Sequence, residues 1–100
     1  MRIKKTAILV AFKYKPGLSN ADRIKVQRKL HSYKNKSNRG QYEYVNVGYM
    51  SKINHIMLQR GVYIVRAEDY REMRLILRGK AEVFAREIIL IEKDKSILWP

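Results

Sequence analysis

Apolar and polar positions along this chain follow the repeat of a strand in some segments and that of a helix in others. Thr6–Tyr14 is a nearly continuous apolar run, rich in β-branched and aromatic residues and followed by Pro16–Gly17. This pattern predicts a strand buried on both faces, as in the centre of a sheet. Ser19 and Asp22 then have the spacing of a helix N-terminus, which predicts a helix that runs to about Tyr33.

The predicted first helix has two different sides. On a helical wheel one side carries Ile24, Val26, Gln27, Leu30 and His31, and the other carries Lys25, Arg28, Lys29 and Ser32. The helix is therefore modestly amphipathic, with a basic outer row.

The middle of the chain carries weaker signals. Lys34–Gly40 is polar, ends in glycine and has no apolar periodicity, which predicts a loop. Gln41–Tyr49 alternates tyrosine and valine with polar residues, which predicts a second strand. Ser51–Arg60 has apolar residues at helical spacing but is short, so a helix and an irregular connection are equally consistent with it.

The remaining residues predict a strand, a helix and a strand. Gly61 precedes a strand at Val62–Arg66. A second helix begins at the acidic pair Glu68–Asp69 and ends near Arg78, with Gly79 as its C-terminal cap. Ala81–Ile91 is the last predicted strand.

The predicted order of elements is therefore strand, helix, strand, strand, helix, strand. With right-handed crossovers this order gives an α+β, ferredoxin-like βαββαβ sandwich, a four-stranded antiparallel sheet with two helices on one face. The other sheet face is then free for a ligand or a second subunit. The 100 residues are expected to form one domain, 1–100, with 91–100 as a short C-terminal tail whose Ile97, Leu98 and Trp99 fold back on the core.

Composition excludes several classes of chemistry. The chain has no cysteine, so it has no disulfide, no thiolate metal site and no cysteine nucleophile. No apolar run approaches the ~18 residues that a membrane span requires. A cytoplasmic protein without a membrane partner is expected.

The formal charge is concentrated at one end. Residues 1–40 hold twelve basic side chains and one acid, Asp22, so they carry +11 of the net charge of +13. Such an excess indicates a polyanionic partner, and nucleic acid is the commonest one because its phosphates release counterions on binding.

A nucleic-acid site is predicted in the basic half, where cations would contact phosphates and tyrosine rings would stack on bases. The candidate residues are Lys13, Lys15, Lys25, Arg28, Lys29, Lys34, Lys36, Asn38, Arg39, Tyr42 and Tyr44. RNA or single-stranded DNA is favoured over duplex DNA, because tyrosines lie beside the basic segment and no recognition-helix motif is present.

Two functions of other classes stay open. One is a metal-independent endoribonuclease that uses His31 or His55 with lysine and tyrosine neighbours. The other is a homo-oligomeric interaction module for an acidic partner, with a homodimer formed through the free sheet face or Leu75. No catalytic residue, metal site or cofactor is predicted, because neither histidine has a partner at metal-ligand spacing and the glycines are scattered.

Overall fold

A four-stranded antiparallel sheet organises the protein, which is therefore an α+β structure, as predicted. The computed structural model describes residues 5–31, 33–37 and 42–100, with the backbone alone for 33–37 and 42–46. In chain order the elements are β1 (Thr6–Tyr14), α1 (Asn20–Leu30), β2 (Tyr33–Ser37), β3 (Tyr42–Asn46), a 3₁₀ turn (Tyr49–Lys52), β4 (His55–Gln59), β5 (Val62–Val65), α2 (Ala67–Leu77), β6 (Ala81–Ile89) and α3 (Glu92–Leu98). The strands of the main sheet lie in the order β4-β5-β1-β6.

Strand β1 lies inside the sheet, in agreement with its apolar sequence. It pairs with β6 from Thr6 opposite Ile89 to Tyr14 opposite Ala81, and with β5 on its other side. Because side chains alternate between the faces of a strand, Ala7 and Val10 are buried on opposite faces. Both faces of the sheet are thus covered beside this strand.

The prediction of the second sheet strand was wrong in its location. The strand predicted at Gln41–Tyr49 is β3, which pairs with β2 in a separate two-stranded sheet. The second strand of the main sheet is instead β4, from the segment that the sequence left ambiguous. Alternating residues predict a strand but not its partner, and here the two-residue Arg60–Gly61 turn joins β4 to β5.

The loop predicted at Lys34–Gly40 was also partly wrong. Tyr33–Ser37 forms β2, although the segment has no apolar periodicity. A polar segment can form a strand where its backbone pairs with a neighbour, as Lys36 does with Glu43. Residues 38–41 lie outside the described part of the chain.

Helix α1 begins as predicted and ends early. The Ser19 hydroxyl oxygen accepts a hydrogen bond from the Asp22 N–H at 3.1 Å, which caps the first turn. The helix ends at Leu30 rather than near Tyr33, because His31 takes an extended conformation with φ −116° and ψ 146°. Val26 and Leu30 are the residues of α1 buried in the core.

Helices α1 and α2 pack on the same face of the sheet. Val26 and Leu30 of α1 share one buried cluster with Met73 and Leu77 of α2 and with Val10 of β1. Helix α2 ends close to its predicted boundary, and Gly79 follows it with a φ of +77°, the left-handed value that favours glycine after a helix.

A third helix, absent from the prediction, covers part of the opposite face. Residues 91–100 were expected to be a tail, but Glu92–Leu98 is α3, and Leu98 is fully buried against Ala7, Ile64 and Leu90. The Lys5 ammonium lies 4.6 Å from the centre of the Trp99 ring, a cation–π contact. The apolar tail residues Leu98 and Trp99 therefore fold back as expected, while Ile97 stays 41% exposed. Within the described residues, no helix has both the length and the apolar character that crossing a membrane would take.

Candidate nucleic-acid interface

A cleft opens on the helical side of the protein, between β1, α1 and the turn that joins β4 to β5. Its volume is about 410 Å³. The lining residues are Phe12, Lys13, Tyr14, Ile24, Gln27, Arg28, His31, Arg60, Gly61 and Tyr63. The lining brings together aromatic rings, arginines and a histidine.

Helix α1 forms one wall of the cleft. Ile24, Gln27, Arg28 and His31 line it, at the spacing of three, four and seven residues that places side chains on one helical face. Arg28 therefore lies on the same face as Gln27 and His31, and the division of the helical wheel into an apolar and a basic side was wrong for this residue. Lys25 and Lys29 are exposed and outside the lining.

Aromatic rings form the floor of the cleft. Phe12 stacks on Tyr63 with ring centres 6.0 Å apart and an angle of 10° between the planes, and it meets Tyr14 edge to face. Tyr63 is fully buried, and its ring covers one face of the Phe12 ring. The Arg23 guanidinium lies 5.7 Å from the centre of the Tyr14 ring. Phe12 and Tyr14 are partly exposed and are the rings that a ligand can reach.

His31 and Tyr63 are joined by a hydrogen bond at the base of the cleft. The Tyr63 hydroxyl lies 2.9 Å from His31 Nε2. Burial, followed by the charges of His55 and Arg60, lowers the pKa of His31 below its usual 6.5, so its imidazole is neutral at pH 7. Burial is also the main cause of the raised pKa of Tyr63, which stays a phenol.

The direction of this hydrogen bond depends on the tautomer of His31, because a phenol hydroxyl can donate or accept. The bond uses Nε2 in either tautomer, so Nδ1 is the ring nitrogen that a ligand can contact.

Gly48 holds the backbone of His31 in place. It is buried, and an added Cβ would lie within 3.0 Å of three backbone atoms of His31. Only glycine allows this approach. The position of His31 thus depends on a residue that comes after the β2–β3 hairpin.

His55, the second histidine, lies next to the same tyrosine. Its ring centre is 6.3 Å from that of Tyr63, and its Nδ1 is 3.2 Å from the Ile53 carbonyl oxygen. Each histidine therefore has one ring nitrogen in a hydrogen bond within the fold. Among the described residues no group of three or more His, Asp or Glu side chains is arranged to hold a metal ion.

The structure separates the predicted site residues. Arg28 and Lys13 both border the cleft, but the Lys13 ammonium extends away from it to Glu82, at 3.4 Å. Lys15, Lys25 and Lys29 are exposed and have no ion-pair partner within the described part of the chain.

The other predicted residues belong to the hairpin and its connection. Lys34 and Lys36 are in β2, and Tyr42 and Tyr44 are in β3. Asn38 and Arg39 lie outside the described residues. A role of these six residues in binding stays a prediction.

Sequence reasoning missed the central members of the cleft, namely Phe12, His31, Arg60 and Tyr63 as one group. The glycine at position 61, just before a predicted strand, is typical of a tight turn. In the structure Gly61 has a φ of +87°, and the turn brings Arg60 to the end of the hairpin. No sequence pattern near His31 or Tyr63 predicted the hydrogen bond between them, because the two residues are far apart along the chain.

A second groove runs between α2 and β6 and is more polar. Its lining is Tyr70, Arg71, Arg74, Leu75, Arg78, Gly79, Ala81 and Val83. Arg71, Arg74 and Arg78 are exposed, and none of them has an acidic partner within the described residues.

Neither protein-family models, nor curated proteins, nor solved structures match this chain. Its function therefore has to be argued from its own residues.

Proposed function

We propose that this protein binds single-stranded nucleic acid, RNA or single-stranded DNA, in the cleft between β1 and α1. The observation that carries the proposal is the juxtaposition of Arg28 and Arg60 with the partly exposed rings of Phe12 and Tyr14. Cations that contact the backbone, beside rings that stack on bases, are the two components of single-strand binding sites.

The shape of the cleft favours a single strand over a duplex. A recess of about 410 Å³ admits an unstacked base. In a duplex the bases are paired and stacked, and only the phosphates would reach the arginines. The Nδ1 atom of His31, which the bond to Tyr63 does not use, adds a polar contact for a base.

Charge outside the cleft supports the same function. Lys15, Lys25 and Lys29 are exposed and lack acidic partners within the described residues. In the proposal they extend the path of the phosphate backbone, together with Lys34, Lys36, Asn38 and Arg39, and Tyr42 and Tyr44 supply further stacking. This part of the binding would be weakly sequence-specific and strongly dependent on salt.

The proposal includes a fold assignment. We interpret the protein as a ferredoxin-like sandwich into which the β2–β3 hairpin has been inserted and to which α3 has been added. The strand order β4-β5-β1-β6 and the packing of α1 and α2 on one face support this interpretation. A cytoplasmic location, where RNA and single-stranded DNA are both present, belongs to the same proposal.

The test is anisotropy of labelled single-stranded RNA, single-stranded DNA and duplex DNA across a salt titration. The cleft variant R28Q/R60Q is compared with K52Q/K93Q, which removes the same charge from exposed positions outside the cleft. For a single strand, the slope of log affinity against log salt should fall by about 1.4 in the cleft variant, since each lost phosphate contact removes about 0.7. Thermal melting shows whether both variants are folded.

A separate variant tests stacking. Replacing Tyr14 by Leu should weaken binding by about 1–3 kcal/mol without changing the salt slope, because a stacked base loses its ring and no charge is removed. Equal affinities of R28Q/R60Q and K52Q/K93Q would remove the cleft from the proposal. If K34Q/K36Q/R39Q also bound like the parent protein, the nucleic-acid function would be abandoned.

The endoribonuclease alternative is tested in the same experiment. The intact probe is checked on a gel after binding, in the absence of added metal. Cleavage that is lost in H31Q or H55Q would replace the binding proposal with a catalytic one. The engagement of both imidazoles in hydrogen bonds within the fold favours binding over cleavage. Weak binding of every probe at physiological salt would instead favour an acidic protein as the partner.

A further inference from the structure

The two edges of the main sheet differ in how well they are protected. Strand β4 is short, from His55 to Gln59, and its pairing is interrupted by an irregularity between Met57 and Gln59. Strand β6 has nine residues, and each of them pairs with β1 in unbroken register. A long regular edge presents a row of unpaired backbone groups to other strands, whereas a bulge hinders such pairing.

Apolar side chains flank the β6 edge on both faces of the sheet. Phe84 is 51% exposed and lies on the face opposite α1 and α2, because it pairs with Ala11 of β1. On the helical face, Leu75 of α2 is 53% exposed and lines the groove with Ala81 and Val83 of β6. Exposed apolar groups on both sides of a free edge are typical of an interface.

Of the charges along this edge, Glu82 pairs with Lys13 of β1 at 3.4 Å, whereas Arg86, Glu87 and Arg78 lack partners of opposite sign within the described residues. The Arg86 guanidinium donates only to the Ala85 carbonyl oxygen, and Glu87 has no ion pair. Arg78, at the end of α2, has none either. Charges of both signs on one edge are self-complementary when the edge meets a copy of itself in antiparallel orientation.

We propose that two copies of this chain pair through β6, antiparallel, about a twofold axis at Phe84. In this register Glu82 of each copy lies opposite Arg86 of the other, and the two Phe84 side chains face each other. Glu87 lies opposite Ala81 of the second copy, near its Arg78. The two four-stranded sheets join into one of eight strands, and the edge and Leu75 are both covered.

This pairing does not depend on the nucleic-acid proposal. It uses β6 and α2, which lie on the other side of β1 from the β4–β5 turn of the cleft. Because the net charge of +13 opposes association, the dimer is expected at physiological salt rather than at low salt.

Sedimentation equilibrium at physiological salt tests the dimer and its register. E82R should raise the dimer dissociation constant by about tenfold or more, because two like-charge pairs replace two opposite-charge pairs. The double variant E82R/R86E should restore most of the affinity. E72R makes the same charge change at an exposed site of α2 outside the groove and should leave the dimer unchanged.

Cross-linking gives a readout that does not depend on affinity. The chain has no cysteine, so F84C introduces a single thiol. Directly opposed residues in an antiparallel pair have Cα atoms about 4.5–5.5 Å apart, within the range of a disulfide. F84C should therefore form a disulfide-linked dimer under mild oxidation, whereas M57C, at the exposed β4 edge, should not.

Circular dichroism shows that each variant is folded before it is compared. A wild-type protein that sediments as a monomer at all concentrations would overturn the proposal. A dimer that tolerates E82R, or that cross-links through M57C rather than F84C, would overturn this interface.

Discussion

The Tyr63 hydroxyl and His31 Nε2 share a hydrogen bond of 2.9 Å, which ties the end of α1 to the centre of the sheet. Both groups are uncharged at neutral pH, because burial lowers the pKa of His31 and raises the pKa of Tyr63. The bond holds the His31 ring at the base of the cleft. The hydrogen bond between His31 and Tyr63 therefore holds α1 against the sheet and also fixes two residues that line the cleft.

Removing this bond should destabilise the protein modestly. Tyr63→Phe keeps the buried ring but leaves His31 Nε2 without its hydrogen-bond partner, so the free energy of unfolding should fall by about 1 kcal/mol. Urea denaturation measures this change. Tyr70→Phe is the matched control, since the Tyr70 hydroxyl has no hydrogen-bond partner within the described residues. An equal loss in both variants would mean that the bond contributes nothing.

Stability should decrease as the pH falls through the range in which His31 titrates. The pKa of His31 is lowered in the folded state, so between 6.5 and that lower value the unfolded chain binds more protons than the folded one. The free energy of unfolding should therefore decline below about pH 6.5 and level off below the folded-state pKa. The measurement is urea denaturation of wild type and His31→Gln at pH 7.5 and 5.5. The advantage of wild type over the variant should shrink at the lower pH, and an advantage that grew would show a raised pKa instead.

Gly48 should be intolerant of even a methyl group. Its φ of −82° suits any residue, but a Cβ would collide with the His31 backbone, so Gly48→Ala should cost roughly 1–3 kcal/mol. Gly17→Ala provides the comparison, because Gly17 has open space around it and a φ of +81°, for which about 1–2 kcal/mol of backbone strain is expected. Chemical denaturation measures both.

The two glycine variants should differ further in function. If Gly48 positions His31, Gly48→Ala should weaken single-strand binding, whereas Gly17→Ala should leave it unchanged. Anisotropy under conditions where both are folded would separate the two. Unchanged binding in Gly48→Ala would indicate that the location of His31 is irrelevant to the cleft.

Helix α3 should contribute strongly to stability despite its short length. Leu98 is fully buried, and Leu98→Ala should cost about 2–5 kcal/mol through lost burial and the cavity left behind. Ile97→Ala, one residue away and 41% exposed, should cost less than half as much. Thermal melting followed by the fluorescence of Trp99, the only tryptophan, reports on this region directly. Similar melting temperatures for the two variants would show that α3 is loosely attached.

Local signals predicted the elements whose boundaries are set locally. The start of α1 followed from Ser19 and Asp22, and the end of α2 from Gly79, because caps depend on neighbouring residues. The end of α1 did not, since it depends on Gly48 and Tyr63, which are distant in sequence. The segment of β4 was ambiguous for the same reason, because its strand conformation depends on its pairing with β5 and not on its own sequence pattern.

The sequence predicted the kind of contact expected at the candidate site, but not which residues form it. Charge concentrated in the first forty residues indicated phosphate contacts, and Arg28 of that set lies in the cleft. Lys13 does not extend into it, because strand alternation places its side chain on the opposite face of the sheet from Phe12 and Tyr14. The cleft combines three elements, and their proximity is a property of the fold rather than of any segment.

The central position of β1 also has a consequence for the rate of folding. Its first residue, Thr6, pairs with Ile89, so nearly the whole chain must be synthesised and brought back before this ladder can close. The β4–β5 hairpin, closed by two residues, can form within about 1–10 μs, whereas sheets that depend on such remote pairs fold in milliseconds to seconds. We expect the docking of β1 between β5 and β6 to be the slow step, during which the β6 edge and its apolar residues are exposed to other chains.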